Sequence, residues 1–373
     1  MRVIIATDSF AGTLTAVAAA EAIAEGWRRV APDDDLVVRP MSDGGPGFVD
    51  VVATALSARR VPVTVSGPLG QDVRATFAMV GTTAYVGAAQ ACGLALVPLA
   101  ERDPGQTTTF GVGQLIKAAI AEGAMTVIVG LGGSGTNDAG AGMLAALGAT
   151  ADTSLDAGGW HLRRVTEVDL APARAAVAGV ELVTASDVDI PLLGLRGCSR
   201  NFAEQKGASA ELVVALEEAL ENFASVIGKQ PNGRDPAVAI GAGSAGGLGY
   251  GLALLGARRV PGISTVMDIV GLAELIRGAD LVITGEGRFD WQSLRGKVVS
   301  GVATVALAEA KPAIVLAGDV TVGRREYSAI GVAAAYSVST MCGSAEEAMA
   351  QPAARLADVA ERVARTWSQS RQG

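Results

Sequence analysis

Residues 126–147 read Thr126-Val127-Ile128-Val129-Gly130-Leu131-Gly132-Gly133-Ser134-Gly135-Thr136-Asn137-Asp138-Ala139-Gly140-Ala141-Gly142-Met143-Leu144-Ala145-Ala146-Leu147. A β-branched apolar run, a glycine-rich turn and a helix-forming run in that order describe a strand opening into a helix. Backbone N–H groups at such a junction lack partners, so the site attracts phosphate. The glycines let the backbone approach a ligand, while Ser134, Thr136, Asn137 and Asp138 supply hydroxyl, amide and carboxylate groups for phosphate or a metal.

Two other readings compete. Gly130, Gly132 and Gly135 match the dinucleotide pattern G-x-G-x-x-G, as do Gly241, Gly243 and Gly246. With 48 glycines in 373 residues, about one such match arises by chance. A dinucleotide fold also wants an acidic residue after the next strand, whereas Asp152 and Asp156 lie in a glycine-bearing loop. The Walker pattern G-x-x-x-x-G-K-[ST] is absent. The plainer alternative is a tight turn, which rarely needs Ser, Thr, Asn and Asp together.

Outward from this stretch, short apolar runs alternate with helix-period segments, the mark of α/β architecture. Residues 3–7 and 36–39 read as strands, 16–30 as a helix capped by Thr15, and 47–56 as a second helix. Residues 61–66, 73–80 and 83–86 then follow as hairpin-like strands separated by Gly-Pro and Gly-Thr turns. A helix is expected over 110–122, a strand over 182–185, and an amphipathic helix over 210–227 with Glu217, Glu218 and Glu221 on its wet side. From residue 279 the βα alternation resumes: strands 281–284, 313–316 and 332–338, helices 298–310 and 352–370. A chain of 373 residues suits two domains. We therefore expect an outer, discontinuous parallel-sheet domain of Rossmann or flavodoxin-like type, residues 1–60 with 280–373. An inserted α/β domain with a mixed sheet takes residues 61–279, and the cleft between the two is the expected site.

Composition narrows the function. Hydrophobic residues make up 50% and charged residues 18%, which indicates a compact globular protein rather than a disordered chain. A net charge of -8 argues against nucleic acid, so an anionic substrate must be held by a few local cations and backbone N–H groups. No apolar run suits a membrane span, and no export signal is read at the N-terminus. Cys92, Cys198 and Cys342 suggest neither a disulfide framework nor a zinc site, and a reducing cytoplasm fits. A single histidine, His161 in a turn-like Gly-Gly-Trp-His segment, leaves histidine-based triads without their base.

Four further loops share the grammar of a strand ending in small and acidic residues. They are Asp8-Ser9-Phe10-Ala11-Gly12-Thr13, Ser42-Asp43-Gly44-Gly45, Ser186-Asp187-Val188-Asp189 and Gly285-Glu286-Gly287-Arg288-Phe289-Asp290. In open α/β sheets ligands bind beyond the carboxyl ends of strands. Each carboxylate alone reads as a helix cap or turn former; five such loops, counting the first, suit a Mg-nucleotide site. Phosphoryl transfer also needs a carboxylate for the proton of the attacking hydroxyl and cations for the transferred group. Lys206, Arg288, Arg295 and Lys297 are cations beside such loops.

In chain order the motifs are DSFAGTLTA (8–16), SDGGPG (42–47), GPLGQDV (67–73), ACGLALVP (91–98), TTTFGVGQLI (107–116), GLGGSGTNDAGAGML (130–144), SDVDIPLLG (186–194), EQKGA (204–208), GAGSAGGLGYGL (241–252) and GEGRFDWQSLRGK (285–297). This order resembles the type 1 glycerate kinases along nearly the whole chain. The resemblance implies a two-domain α/β fold and ATP- and Mg²⁺-dependent phosphorylation of D-glycerate to 2-phosphoglycerate or 3-phosphoglycerate. It also implies a place in glyoxylate or sugar-acid breakdown, and a homodimer is compatible with it. At three positions where the family pattern is charged, this chain has Ala11, Pro46 and Gly87. The alternatives kept are a relative that binds nucleotide or a sugar acid without transfer, a kinase for another small hydroxy acid and, more weakly, a dinucleotide-dependent oxidoreductase.

On chemistry and position, Gly132, Gly133, Ser134, Thr136, Asn137 and Asp138, with Gly285, Glu286 and Gly287, are expected to hold nucleotide phosphates. Asp187 and Asp138 are the expected metal-linked carboxylates, and Asp187 or Asp290 the proton acceptor. Lys206 or Lys297 would stabilise transferring charge, and Asp8, Ser9, Asp43, Gly44, Gly45 and Arg288 would meet the substrate.

Overall fold

The computed structural model describes residues 1–10, 12–230, 233–294 and 296–368. The chain forms two compact units: Met1–Asp43, Asp50–Leu56 and Ile263–Gly373 make one, Gly44–Val49 and Ser57–Gly262 the other. The inserted unit therefore ends at residue 262, not 279. Helices over 263–277 belong to the first unit because Gly301, in helix Val298–Ala308, leaves room for the side chains of Ile263 and Met267.

Strands of the two main sheets are numbered here along the chain. The first unit holds β1 (Arg2–Ile5), β2 (Asp35–Val38), β9 (Leu281–Thr284), β10 (Ala313–Ala317) and β11 (Val332–Ser337), in the order β11-β10-β9-β1-β2. All pairings are parallel. β9 and β10 are buried at every residue, so they read as unbroken apolar runs, as strands covered on both faces do. The chain runs from β1 outward to β2 on one side and from β9 through β10 to β11 on the other. The direction thus reverses between β1 and β9, and ligands bind beyond strand ends at such a switch point. Asp8 follows β1 there and Glu286 follows β9; the Asp8 N–H donates to the Gly285 carbonyl at 2.8 Å.

Helix Ala16–Arg28 packs on helix Pro352–Trp367. A Cβ at Gly26 would clash with the Ala357 backbone, and Trp27 is buried with its indole N–H on Asp34 at 2.9 Å. Thr15 caps the first helix, as its hydroxyl position predicts.

The second unit holds a mixed sheet of β3 (Arg59–Ser66), β4 (Asp72–Val80), β5 (Thr83–Gly87), β6 (Thr126–Gly130), β7 (Glu181–Ala185) and β8 (Arg258–Val260), ordered β8-β7-β6-β5-β4-β3. β3, β4 and β5 pair antiparallel as successive hairpins, and β5 to β8 pair parallel. Gly87, Gly130 and Ala185 align in register, so three parallel strands end at one level. Helix Ala210–Ile227 matches its expected span, with Ser209 as N-cap. Glu217 departs from expectation: it is half-buried, and its carboxylate accepts the Gly194 N–H. Among the described residues, no helix is long and apolar enough to cross a membrane.

Candidate active site

In the second unit the glycine-rich loop leaves β6 clamped on both sides by backbone. The Gly132 N–H donates to the Gly44 carbonyl at 3.0 Å, and an ideal Cβ at Gly130 would lie 2.6 Å from that same oxygen. Gly44 and Gly45 thus serve close packing on Gly130 and Gly132. Pro46 covers Gly133, whose φ of +78° suits glycine. On the other side, the Gly135 N–H donates to the Cys92 carbonyl at 2.7 Å and the Leu94 N–H to the Gly133 carbonyl at 2.9 Å.

Asp138 is fully buried and accepts from the Thr109 N–H (2.8 Å), the Thr109 hydroxyl (2.8 Å), the Gly140 N–H (3.1 Å) and the Gly142 N–H (3.3 Å). It occupies the amides that open helix Ala141–Ala146. Burial pushes its carboxyl up, and these donors pull it back. The expectation that Asp138 holds a metal does not fit: both oxygens already bind the loop together.

Lys206 is 3% exposed, and its ammonium donates to the Ser134 hydroxyl (3.2 Å) and the Thr136 carbonyl (2.7 Å). Among the described residues, no carboxylate lies within ion-pairing distance of it; Asp138 acts on it at longer range. Burial holds its pKa below the ordinary value. A buried cation without a counterion is costly unless an anion arrives. Asn137, also fully buried, donates from Nδ2 to the Ser199 hydroxyl at 3.0 Å, while its Oδ1 has no partner. Ser199 also faces the Glu217 carboxylate, whose upward push from burial it offsets. Burial drives the thiols of Cys92 and Cys198 up to about 12, which keeps them inert.

The second G-x-G-x-x-G lies behind this loop. Helix Ser244–Leu254 opens through Ala245, Gly246 and Gly247, all at positive φ. A Cβ at Gly246 would strike the Thr136 carbonyl, and one at Gly247 would lie 2.6 Å from the Ala139 Cα. The motif is a backing plate for the loop, its glycines required by backbone contact.

The first unit gathers a different set. Asp8, Asp43 and Glu286 interact electrostatically at the switch point. Burial, then the neighbouring Asp43, raise Asp8 to about 8 against the pull of the Ser9 N–H. Burial raises Glu286 to about 7, offset by Ser293 and Lys297, and its Oε1 is buried without a partner. Asp290 forms a turn instead: its Oδ1 accepts from the Gln292 N–H at 2.8 Å and the Ser293 N–H at 3.4 Å. Lys297 stands at the N-cap of helix Val298–Ala308. Arg288 is exposed, 3.8 Å from Asp319. Gly285 and Gly287 give carbonyls to the Asp8 and Asp319 N–H groups. Ala11 and Arg295 lie outside the described residues.

Asp187, at the end of β7, is half-buried and accepts the Gly262 N–H at 3.1 Å. The sequence motifs therefore meet as two clusters, one around Lys206 and one around Asp8 and Glu286. Sequence reasoning missed Thr109, Ser199 and Glu217; only their neighbourhood to other motifs could have pointed to them.

A family model described as the glycerate kinase family matches residues 3–368. A protein named glycerate kinase from Halalkalibacterium halodurans is 40% identical over 377 residues, covering 99% of each chain. A protein named glycerate 2-kinase from Escherichia coli K12 is 41% identical, covering 93% of each. The crystal structure of a protein provisionally assigned as glycerate kinase 2, from Salmonella typhimurium LT2, superposes with a TM-score of 0.80 at 38% identity, covering 98% of each chain.

Proposed function

The chain belongs to the glycerate kinase family, and from that premise we propose that it transfers the γ-phosphoryl group of ATP to a hydroxyl of D-glycerate, giving 2-phosphoglycerate. The observation that carries the reading is the buried Lys206 ammonium on Ser134 and Thr136, a cation held without a carboxylate partner. Charge on a transferring phosphoryl group is what such a group stabilises best, because it is already desolvated and oriented. The loop glycines and Ser134 lie beside it, and Asn137 offers an amide that its hydrogen bond to the Ser199 hydroxyl holds.

Asp8 suits the proton acceptor: a carboxyl raised to about 8 matches a working pH near neutrality. It replaces Asp290, engaged in its turn, and Asp187, bonded to Gly262. Magnesium fits the oxygen-only set of Asp43 and Glu286, where the buried Glu286 Oε1 has no hydrogen-bond partner. When bound it would neutralise phosphate charge. Steady-state assay of the purified chain with ATP, Mg²⁺ and D-glycerate tests the activity, and no turnover above background overturns it. Phosphorus NMR of the product separates a phosphate on the secondary hydroxyl from one on the primary.

A second reading, binding without transfer, draws on Pro46 and Gly87, uncharged where the family pattern carries charge. It expects thermal stabilisation by nucleotide or glycerate with no product.

A further inference from the structure

The first unit contains a cavity of about 220 Å³ that no step of the proposed reaction uses. It opens at the strand-end crevice of the parallel sheet. Phe10, two residues beyond Asp8, forms one wall; Val338, Ala348, Met349 and Leu356 form the others. Gly287, next to Glu286, lies on its rim. Rim and carboxylate cluster are tied by backbone: the Gly318 N–H donates to the Glu286 carbonyl at 3.1 Å, and the Ser339 N–H to the Gly318 carbonyl at 2.9 Å.

The chemistry of the lining selects the occupant. Every carbon of D-glycerate bears oxygen, so walls that are mostly carbon offer it little and would strip its hydration. The groups that could meet a phosphate, Arg288, Thr13 and Ser339, share the lining with Asp319, whose carboxylate stands 3.8 Å from the Arg288 guanidinium. Of the two reactants, only the purine of the nucleotide carries apolar faces that reward burial among aliphatic and aromatic side chains. The polar edge is complementary to it. Asp319 stands on the rim, its Oδ1 accepting from the Ser339 hydroxyl at 3.1 Å, and its carboxylate can accept an exocyclic amino group of a purine.

We infer that this cavity seats the purine base of the nucleotide, with Asp319 as the acceptor for its amino group. The base then anchors on the first unit beside Gly287, and its sugar-phosphate tail starts next to the Glu286 loop. The inference rests on the proposed ATP-dependent activity for the identity of the ligand.

Photolabelling the full chain with 8-azido-ATP, followed by peptide mapping, tests it independently of turnover. ATP-protected label is expected within residues 338–356 or at 287–289. Protected label confined to the second unit, or no ATP-protected label at all, overturns the inference. A chain that labels there yet phosphorylates no glycerate loses the activity assignment and keeps the base site; turnover with label elsewhere does the reverse. Ala348→Phe, which fills the cavity, should raise the KM for ATP about tenfold and leave the KM for D-glycerate within about twofold. An unchanged KM for ATP in a variant with parental circular dichroism also overturns it.

Discussion

At the end of β6, Asp138 accepts four hydrogen bonds and Lys206 donates two, whereas at the ends of β1 and β9 Asp8, Asp43 and Glu286 crowd together with an oxygen unsatisfied. Both clusters sit beyond the carboxyl ends of parallel strands; Asp138, Lys206 and Glu286 are buried, Asp8 and Asp43 half-buried. In one, both oxygens of Asp138 and the Lys206 ammonium are held by fixed partners, while Thr136 Oγ1 and Asn137 Oδ1 are left open; in the other, burial and neighbouring carboxylates raise Asp8 and Glu286. The pairing separates holding an anion, which needs fixed donors, from moving a proton, which needs a carboxyl poised near neutral pH.

The sharpest test of the proton-holding side is Asp8→Asn, expected to lower kcat about 10²–10⁴-fold in steady-state assay. The same change should raise the thermal midpoint at pH 8, since it removes a buried charge. Asp8 and Glu286 have folded pKa values of about 8 and about 7, above their unfolded values near 4, so the native state binds more protons across that window. In metal-free buffer, urea-unfolding stability should therefore fall as pH rises from 5 to 8 and level off above it. A flat profile would mean the carboxylates are solvated. Lys206→Met should cost about 10²–10³-fold in kcat/KM with a midpoint no lower than the parent's, because an uncompensated buried cation is exchanged for an apolar chain. A strong loss of stability without loss of rate would reverse the roles given to the two clusters.

Asp138→Asn tests rigidity. It turns an acceptor into a donor facing donors, and should cost about 3 kcal/mol in urea unfolding. Retained stability would show that the loop does not depend on that carboxylate. Smallest is Ser199→Ala, which frees the Asn137 amide: about a tenfold drop in kcat/KM is expected with an unchanged midpoint, and Ser199→Thr should restore most of it.

Elements with local signals were legible. The Gly-Pro and Gly-Thr turns marked the β3–β5 hairpins, Ser209 and the period of residues 210–227 marked a helix, and the apolar runs of β9 and β10 marked a covered parallel sheet. What depended on distant partners was not. Residues 241–252 read as a fingerprint because their glycines answer to backbone contacts with Thr136 and Ala139, more than a hundred residues earlier. Glu217 sat at a wet position on the helix period, but the Gly194 N–H and Ser199 lie over it. Asp138 looked like a metal ligand since composition cannot tell a vacant carboxylate from one capping its own loop. The switch point between β1 and β9 required the strand order, which no local pattern encodes.

That strand order also bears on synthesis. β1 pairs with β9 at Val3 and Leu281, 278 residues apart, so β1 leaves the ribosome long before its central neighbour does. At ordinary elongation rates this is a wait on the order of tens of seconds. All six strands of the inserted unit emerge in the meantime and can close their own sheet. Until β9 is made, β1 and helix Ala16–Arg28 lack the neighbour that completes their sheet.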